Sequence, residues 1–501
     1  MNNINEDKEK KITNNYNENV ELMKNQFHYP KNIDFKFRVI NVKSLNKEAT
    51  LFFLNSIVDT NRLEMYIVKP IMESEFKGTP SNDAIELLMK NIINSSSVSK
   101  VNQLKVIIEE ITLGNVIMFI DECSEAISIK VSSFEHRSVE KPTIENILKG
   151  PKESFTESTE VNFSLIRKHI MNKELITEVV TVGVRGSSKI FLMYLDDIVN
   201  PELLEEIKFR ISKIEIESLD ESSILEQYIE DRPYSLIPSS ISTERPDRVA
   251  SFLKDGHVAL FTYNGSMASV VPITFFTLFH TSEDMYQRWA YGNFIRIIRF
   301  FSCVVALVTP AFYMAITTFH PEMMPADLVM ATIAAREKLP FPVLFEIMIM
   351  EVSFELIREA GVRIPTAVGP TIGIVGTLIL GQAAVEANII SPVLVIVVSI
   401  TGLASFAIPE MNLSYIVRIG RFIFLFVAAI GGFYGLGLII PLILAYLSSI
   451  ESFGVPFFSP YTPYFPSSKD TIFRPIIHKL IRRPQENRPI DEVRSKDRSD
   501  R

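Results

Sequence analysis

The sequence predicts an α/β soluble N-terminal region of two related subdomains, followed by an α-helical polytopic membrane domain. Three observations predict it. Apolar and charged residues are segregated: the chain is 47% hydrophobic yet 22% charged, with a mean hydropathy of +0.18, and its long charge-free runs all follow about residue 291. Before that point, short β-type runs alternate with amphipathic helical stretches. Two of the strand-like features recur at nearly one spacing. At 501 residues the chain is also too long for a single core.

Residues 1–30 are polar, rich in Asn, Lys and Glu, and lack an apolar signal-peptide core, so they read as a disordered tail. Residues 31–135 and 136–290 read as the two α/β subdomains. Strands are expected at Ala49–Val58, Val116–Ile120, Ile190–Leu195 and Val258–Thr262, and helices at Ala84–Ile93 and Glu202–Ile211. The run LFFLNSIVD from Leu51 returns as LMYLDDIVN from Leu192, and LGNVIMFIDECSEA from Leu113 returns as DGHVALFTYNGSMA from Asp255. Gly114 and Gly256 stand at the turn before the second strand of each copy.

Residues 291–450 read as the membrane domain, with spans near 297–319, 367–390, 389–411 and 418–448. Residues 300–319 carry no charge, and twenty helical residues cover about 30 Å, the thickness of bilayer hydrocarbon. Residues 341–360 are apolar but carry Glu346, Glu351, Glu355, Arg358 and Glu359. That segment reads as an amphipathic or partial helix that lies in the interface or lines a polar cavity. Four spans with this partial helix leave both flanks on the cytoplasmic side. Arg288, Arg296 and Arg299 before the first span, and the basic tail 451–501, agree with that orientation. Trp289 with Tyr286 and Tyr291 reads as an interfacial aromatic anchor.

Composition excludes several functions. A formal net charge of −8 argues against nucleic acid as a partner. Two cysteines and seven scattered histidines without an HExxH provide no disulfide framework and no recognisable metal centre. There is no Walker A pattern, GxGxxG or nucleophile elbow, so no catalytic, cofactor or metal residue is assigned. The turn Gly183–Gly186 with Arg185 reads as an ordinary strand-to-strand turn, and His280 and His320 as interfacial polar residues.

Three groups of residues stand out. Gly369, Gly373, Thr377 and Gly381 form a small-residue face at four-residue spacing, repeated by Gly431 and Gly435. Such a face lets helices pack closely, within one subunit or between subunits. Glu346, Glu351, Glu355, Gln382 and Glu386 are candidate pore-lining or cation-attracting groups; the alternative for Glu351 and Glu355 is pairing with Arg358 or Arg363. If they line a pore, neutralising both should alter cation flux and spare abundance. Glu244, Arg245, Asp247 and Arg248 flank Pro246 and form a candidate latch between the second subdomain and the membrane part; the alternative is a solvated turn.

Several segments resemble the A-subunit family of GerA-type spore germinant receptors, which also includes the stage V sporulation protein AF. They are HRSVEKP (136–142), GPKESFTES (150–158), ERPDRV (244–249), FHPEMMP (319–325), EAGVRIPTAVGPTIGIVGTLILGQAAVEANIISP (359–392) and FGVPFFSP (453–460). The resemblance implies a multi-pass protein of the endospore inner membrane. It implies a transporter-like B subunit and a lipoprotein C subunit as partners, contact with membrane lipid, and a homo-oligomer that conducts cations when nutrient is sensed. A non-conducting structural hub of the germination apparatus is the competing expectation.

Overall fold

The structure is a computed structural model, and it describes residues 11–74, 84–95, 97–133, 142, 145–363, 381–465 and 470–495. The first sheet holds β1 (Phe35–Val42), β2 (Lys47–Leu54), β3 (Val98–Val101), β4 (Val116–Ile120) and β5 (Ala126–Ile129), in the order β1-β2-β4-β5-β3. The second holds β6 (Leu175–Val182), β7 (Ser188–Leu195), β8 (Ile241–Thr243), β9 (Val258–Thr262) and β10 (Ala268–Val271), in the order β6-β7-β9-β10-β8. The two orders are the same, strand for strand. The ladders are antiparallel throughout.

Helices cover both faces of each sheet, which is why β4 and β9 are buried at every residue and read as unbroken apolar runs. In the first copy, α1 (Tyr16–Gln26) and α2 (Leu104–Thr112) pack on one face around Phe35, Phe52 and Ile117. The helical run from Thr60 to Glu73 packs on the other. In the second copy these places are taken by α3 (Thr159–His169) and α6 (Pro246–Lys254), and by α4 (Pro201–Ser212) and α5 (Ser222–Ile229). Gly114 and Gly256 adopt φ of 85° and 87° at matching turns. A Cβ at Gly114 would stand 2.8 Å from the Ile57 carbonyl oxygen, so the turn requires glycine on both counts.

The repeat reaches further toward the N-terminus than composition indicated. Residues 11–30, expected to be a disordered tail, include α1, with Met23 and Phe27 fully buried. Buried Asn19 donates to the Thr13 carbonyl (2.6 Å) and accepts from the Thr13 amide (3.0 Å). Asn162 in α3 makes the same pair of bonds with Thr156, at 2.7 and 2.8 Å. The first subdomain therefore begins near Lys11, not at residue 31. Its opening helix was hidden because few of its residues are apolar and hydrogen bonds supply much of its anchoring.

A polar clasp joins the two copies. Arg167 and Asp34 form a buried ion pair, and Ile33 donates its amide to Thr177 (2.9 Å). At the edge, His28 Nε2 lies 2.8 Å from Glu174 and Nδ1 3.7 Å from Asp196, while Lys31 meets Asp196 at 2.7 Å. The hydrogen bond to Glu174 raises the His28 pKa above its ordinary 6.5, against the opposing effect of burial. A raised folded pKa adds stability that is complete below the unfolded value and lost as pH rises through the folded one. Thermal unfolding of the detergent-purified chain should therefore show a falling Tm as pH climbs past the folded His28 pKa. His28→Gln should flatten that limb; an unchanged slope would remove His28 as its source.

Beyond the head lie α7 (Trp289–Phe319), α8 (Ala326–Arg336), α9 (Val343–Arg363), α10 (Pro392–Phe406) and α11 (Met411–Ser448). By length and composition α7 and α11 could cross a bilayer, while α10 is apolar but shorter. The polar segment 341–360 forms α9, a continuous helix of 21 residues. The expected span 367–390 lies largely outside the described residues.

The expected span 418–448 is not one straight pass. Gly432 has non-helical angles (φ 54°, ψ −137°). A Cβ on Gly435 would stand 2.6 Å from the Val427 carbonyl oxygen, although a straight helix separates residues eight apart by about 12 Å. The chain folds back there, so α11 is two arms, 411–431 and 433–448. Both ends return to the head: Glu410 meets Arg248 and Ser449 meets Arg232. The first arm runs parallel to α7, with Gly420 against Leu307 and Gly432 against Phe319. By contrast α9 and α10 run back toward the head. Glu346 accepts from the Ser391 amide (3.3 Å), and Arg358 donates to Ser405 Oγ (2.5 Å).

Residues 451–495, expected as a basic tail, wrap the base of the bundle. Buried Arg474 donates to the Asp284 carbonyl (2.6 Å), and Trp289 Nε1 donates to the Arg474 carbonyl (2.7 Å). Arg494 pairs with Asp255 and Arg483 with Asp491, so part of the tail's positive charge is satisfied within the chain.

Candidate functional site

The four latch residues come together at the junction of head and bundle, and all are buried. They lie at the start of α6, where Pro246 occupies the first turn and needs no amide donor. Arg248 donates to Glu145 (3.1 Å), to Glu410 at the head-side end of α11 (3.4 Å) and to the His280 carbonyl (3.1 Å). Arg245 donates to Asp247 (2.9 Å) and to the Pro151 carbonyl (2.9 Å), and Tyr286 donates to Asp247 (2.8 Å). Glu244 accepts from the Glu145 amide (2.8 Å). Burial, then the Asp247 charge, raises the Tyr286 pKa. Burial, then Arg296, lowers His280 to about 4, so His280 is neutral near pH 7 and donates from Nε2 to the Thr471 carbonyl (2.6 Å). One planar guanidinium thus ties α6 to Glu145, to the His280 carbonyl and to the start of α11. In α2, which takes the place of α6 in the first copy, Gln103, Lys105 and Val106 stand where these charges would be. The latch belongs to the second copy alone.

Further along α11 is a second charged group. Arg421 is fully buried and donates to Glu351 (2.6 Å) and Glu355 (3.1 Å) on α9. Arg418 also pairs with Glu355. This departs from the sequence expectation. Glu351 and Glu355 do not pair with Arg358 or Arg363, because Arg358 donates to Ser405 and lies over the Phe354 and Phe406 rings, and Arg363 pairs with Glu359. Two arginines balance the charge of the two carboxylates. They clamp α9 to α11. Arg418 and Arg421 carry a signal in the sequence itself: charges at the mouth of an otherwise apolar run demand partners.

The remaining candidates separate. Glu346 is buried between α8 and α10, 3.6 Å from Arg336 Nε. Gln382 donates to Glu386 (2.9 Å), and this exposed pair precedes the Ser391 turn at the end of α10 distant from the head. Gly369, Gly373 and Thr377 lie outside the described residues. A Cβ on Gly381 would rest 3.6 Å from Val395, an ordinary contact, whereas Gly431 faces nothing within 4 Å. Gly431 therefore makes no close contact within this chain, and Gly435 meets its own helix's other arm. The close helix approaches fall instead at Gly402 against Phe354 and Gly420 against Leu307.

Among the described residues, His28, Glu174 and Asp196 bring ligand-type atoms within 4.8 Å of one another. Lys31 and Lys173 pair with its carboxylates, so the group is charge-balanced as it stands.

A duplicated antiparallel head, joined through buried arginines to a bundle with long apolar helices, defines a membrane-associated protein whose polar machinery links head to bundle. The chain belongs to the Bacillus/Clostridium GerA spore germination protein family, whose model matches residues 21–486. It is 37% identical to spore germination protein KA of Bacillus subtilis (strain 168) over 445 residues, 89% of this chain and 81% of that protein. It is 35% identical to spore germination protein A1 of the same organism over 453 residues (90% and 91%). Against spore germination protein GerLA of Bacillus cereus the figure is 32% over 432 residues (86% and 87%). The crystal structure of the N-terminal domain of the A subunit of the Bacillus megaterium spore germinant receptor GerK3 aligns with 53% of this chain and 98% of that chain. The identity there is 24% and the TM-score 0.43.

Proposed function

We propose that this chain is the A-type membrane subunit of a spore germinant receptor, and that it relays nutrient sensing to a cation path formed by several copies. Its partners in this reading are a transporter-like B subunit, a lipoprotein C subunit and the lipid of the endospore inner membrane, with both termini cytoplasmic. The observation that carries the reading is the placement of both charged groups on one arm of α11. Arg248 holds Glu410 at its head-side end, and Arg418 and Arg421 hold Glu351 and Glu355 two to three turns further on. A displacement of the head therefore reaches α9 through a single stiff helix. Nutrient binding to a partner biases this element only through unequal affinity for its two positions. In this reading Glu351 and Glu355 are the clamp through which the first arm of α11 moves α9, and Gln382 and Glu386 remain the cation-attracting pair. The return of both ends of α11 to the head makes its two arms a pair of passes in this reading.

The test is reconstitution of the purified chain in liposomes with a potassium-sensitive dye. Cation leak from an oligomer, reduced by Glu386→Gln, supports the path. A stable oligomer with no leak in any variant would overturn it in favour of the non-conducting hub.

A further inference from the structure

We propose that the loop Arg232–Ile237 is a foot that seats the head in the phospholipid headgroup layer, an inference that rests on the membrane reading above. Tyr234 at its tip is fully exposed and Leu236 is 49% exposed. The loop is not loose. Arg232 donates to the Ser449 carbonyl (2.7 Å) and to Ser449 Oγ (3.1 Å), closing the C-terminal end of the second arm of α11. There a cation meets the unsatisfied carbonyls of a helix end. Tyr446 in the last turn donates its hydroxyl to Ser235 Oγ (2.9 Å). The tip is thus fixed beside the head-side end of an arm whose outer face exposes Leu438, Leu442 and Tyr446.

The other helices carry half-exposed aromatics at the same head-side ends: Trp289 and Tyr291 on α7, and Tyr415 on α11. Ring-bearing side chains with a polar tip favour the headgroup zone, and a guanidinium suits the phosphates there. Tyr234 and Arg232 extend that belt from the helices onto the head. The loop continues the lipid-facing surface of α11, so the occupant is the lipid interface and not a second protein.

The experiment uses the full chain in vesicles of brominated phosphatidylcholine. Trp289 is its single tryptophan, so Trp289→Phe provides a dark background for Tyr234→Trp, with Tyr434→Trp on the outer face of α11 as the reference. We expect both emissions to be quenched by bromolipid and the indole placed at position 234 to be shielded from aqueous iodide. Quenching at 434 but not at 234 would overturn the foot and leave the membrane reading intact. Shielding from iodide at 234 without bromolipid quenching would assign the loop to a protein neighbour and also overturn it. Loss of quenching at both positions, in chains that retain the wild-type elution profile, would sink the membrane reading itself.

Discussion

Arg421→Met is expected to deplete the chain from the membrane. The substitution leaves Glu351, itself fully buried, without its partner. Breaking a buried pair from one side costs about 3–5 kcal/mol, because the remaining charge stays desolvated. Most domains hold only about 5–15 kcal/mol of net stability, so the abundance read by quantitative immunoblot should fall several-fold. The double variant Glu351→Leu with Arg421→Met removes both charges and should restore abundance. Germination-linked cation release should not return with it, because the clamp is gone. Full release from a well-expressed double variant would reduce Glu351 and Arg421 to packing. Glu351→Gln with Glu355→Gln strands Arg418 and Arg421, so abundance should fall along with any change in flux.

Arg248→Ala should uncouple head from bundle. It leaves Glu145 and Glu410 facing each other without the cation between them, and the loss is of the same order, about 3–5 kcal/mol. Limited proteolysis should then open the junction near residues 145–151, while the head sheets stay protected. Nutrient-triggered cation release should be lost. Arg248→Lys should recover only part of the function, since an ammonium is a point donor and cannot reproduce the planar fork that reaches two carboxylates and the His280 carbonyl. Wild-type release with an unopened junction in the alanine variant would end the latch as a coupling element.

Much of the head was legible in the order of residues. Coverage on both faces makes β4 and β9 continuous apolar runs, and a duplicated fold requires the duplicated turn that places Gly114 and Gly256. The latch was only half legible: four charges around a proline at the start of an amphipathic helix also suit a solvated turn, and their burial against Glu145, Glu410 and Tyr286 is a tertiary fact. The opening helix α1 was not legible. Its apolar face is short and interrupted by the buried Asn19, and the Asn19–Thr13 hydrogen bonds appear only when the chain is folded.

The bundle divides the same way. Local sequence determined that residues after 291 form apolar helices and that a few ionised groups among them must find partners, because hydropathy and charge are properties of each residue. Tertiary structure alone decided which partners. Glu351 meets Arg421, seventy positions away, only because α9 runs back toward the head beside the first arm of α11. A run without charges offers no mark of where it turns, since leucine is equally at home on either side of the bend. Its turn is set by the one residue that accepts the required backbone angles and by the neighbour that fits against it.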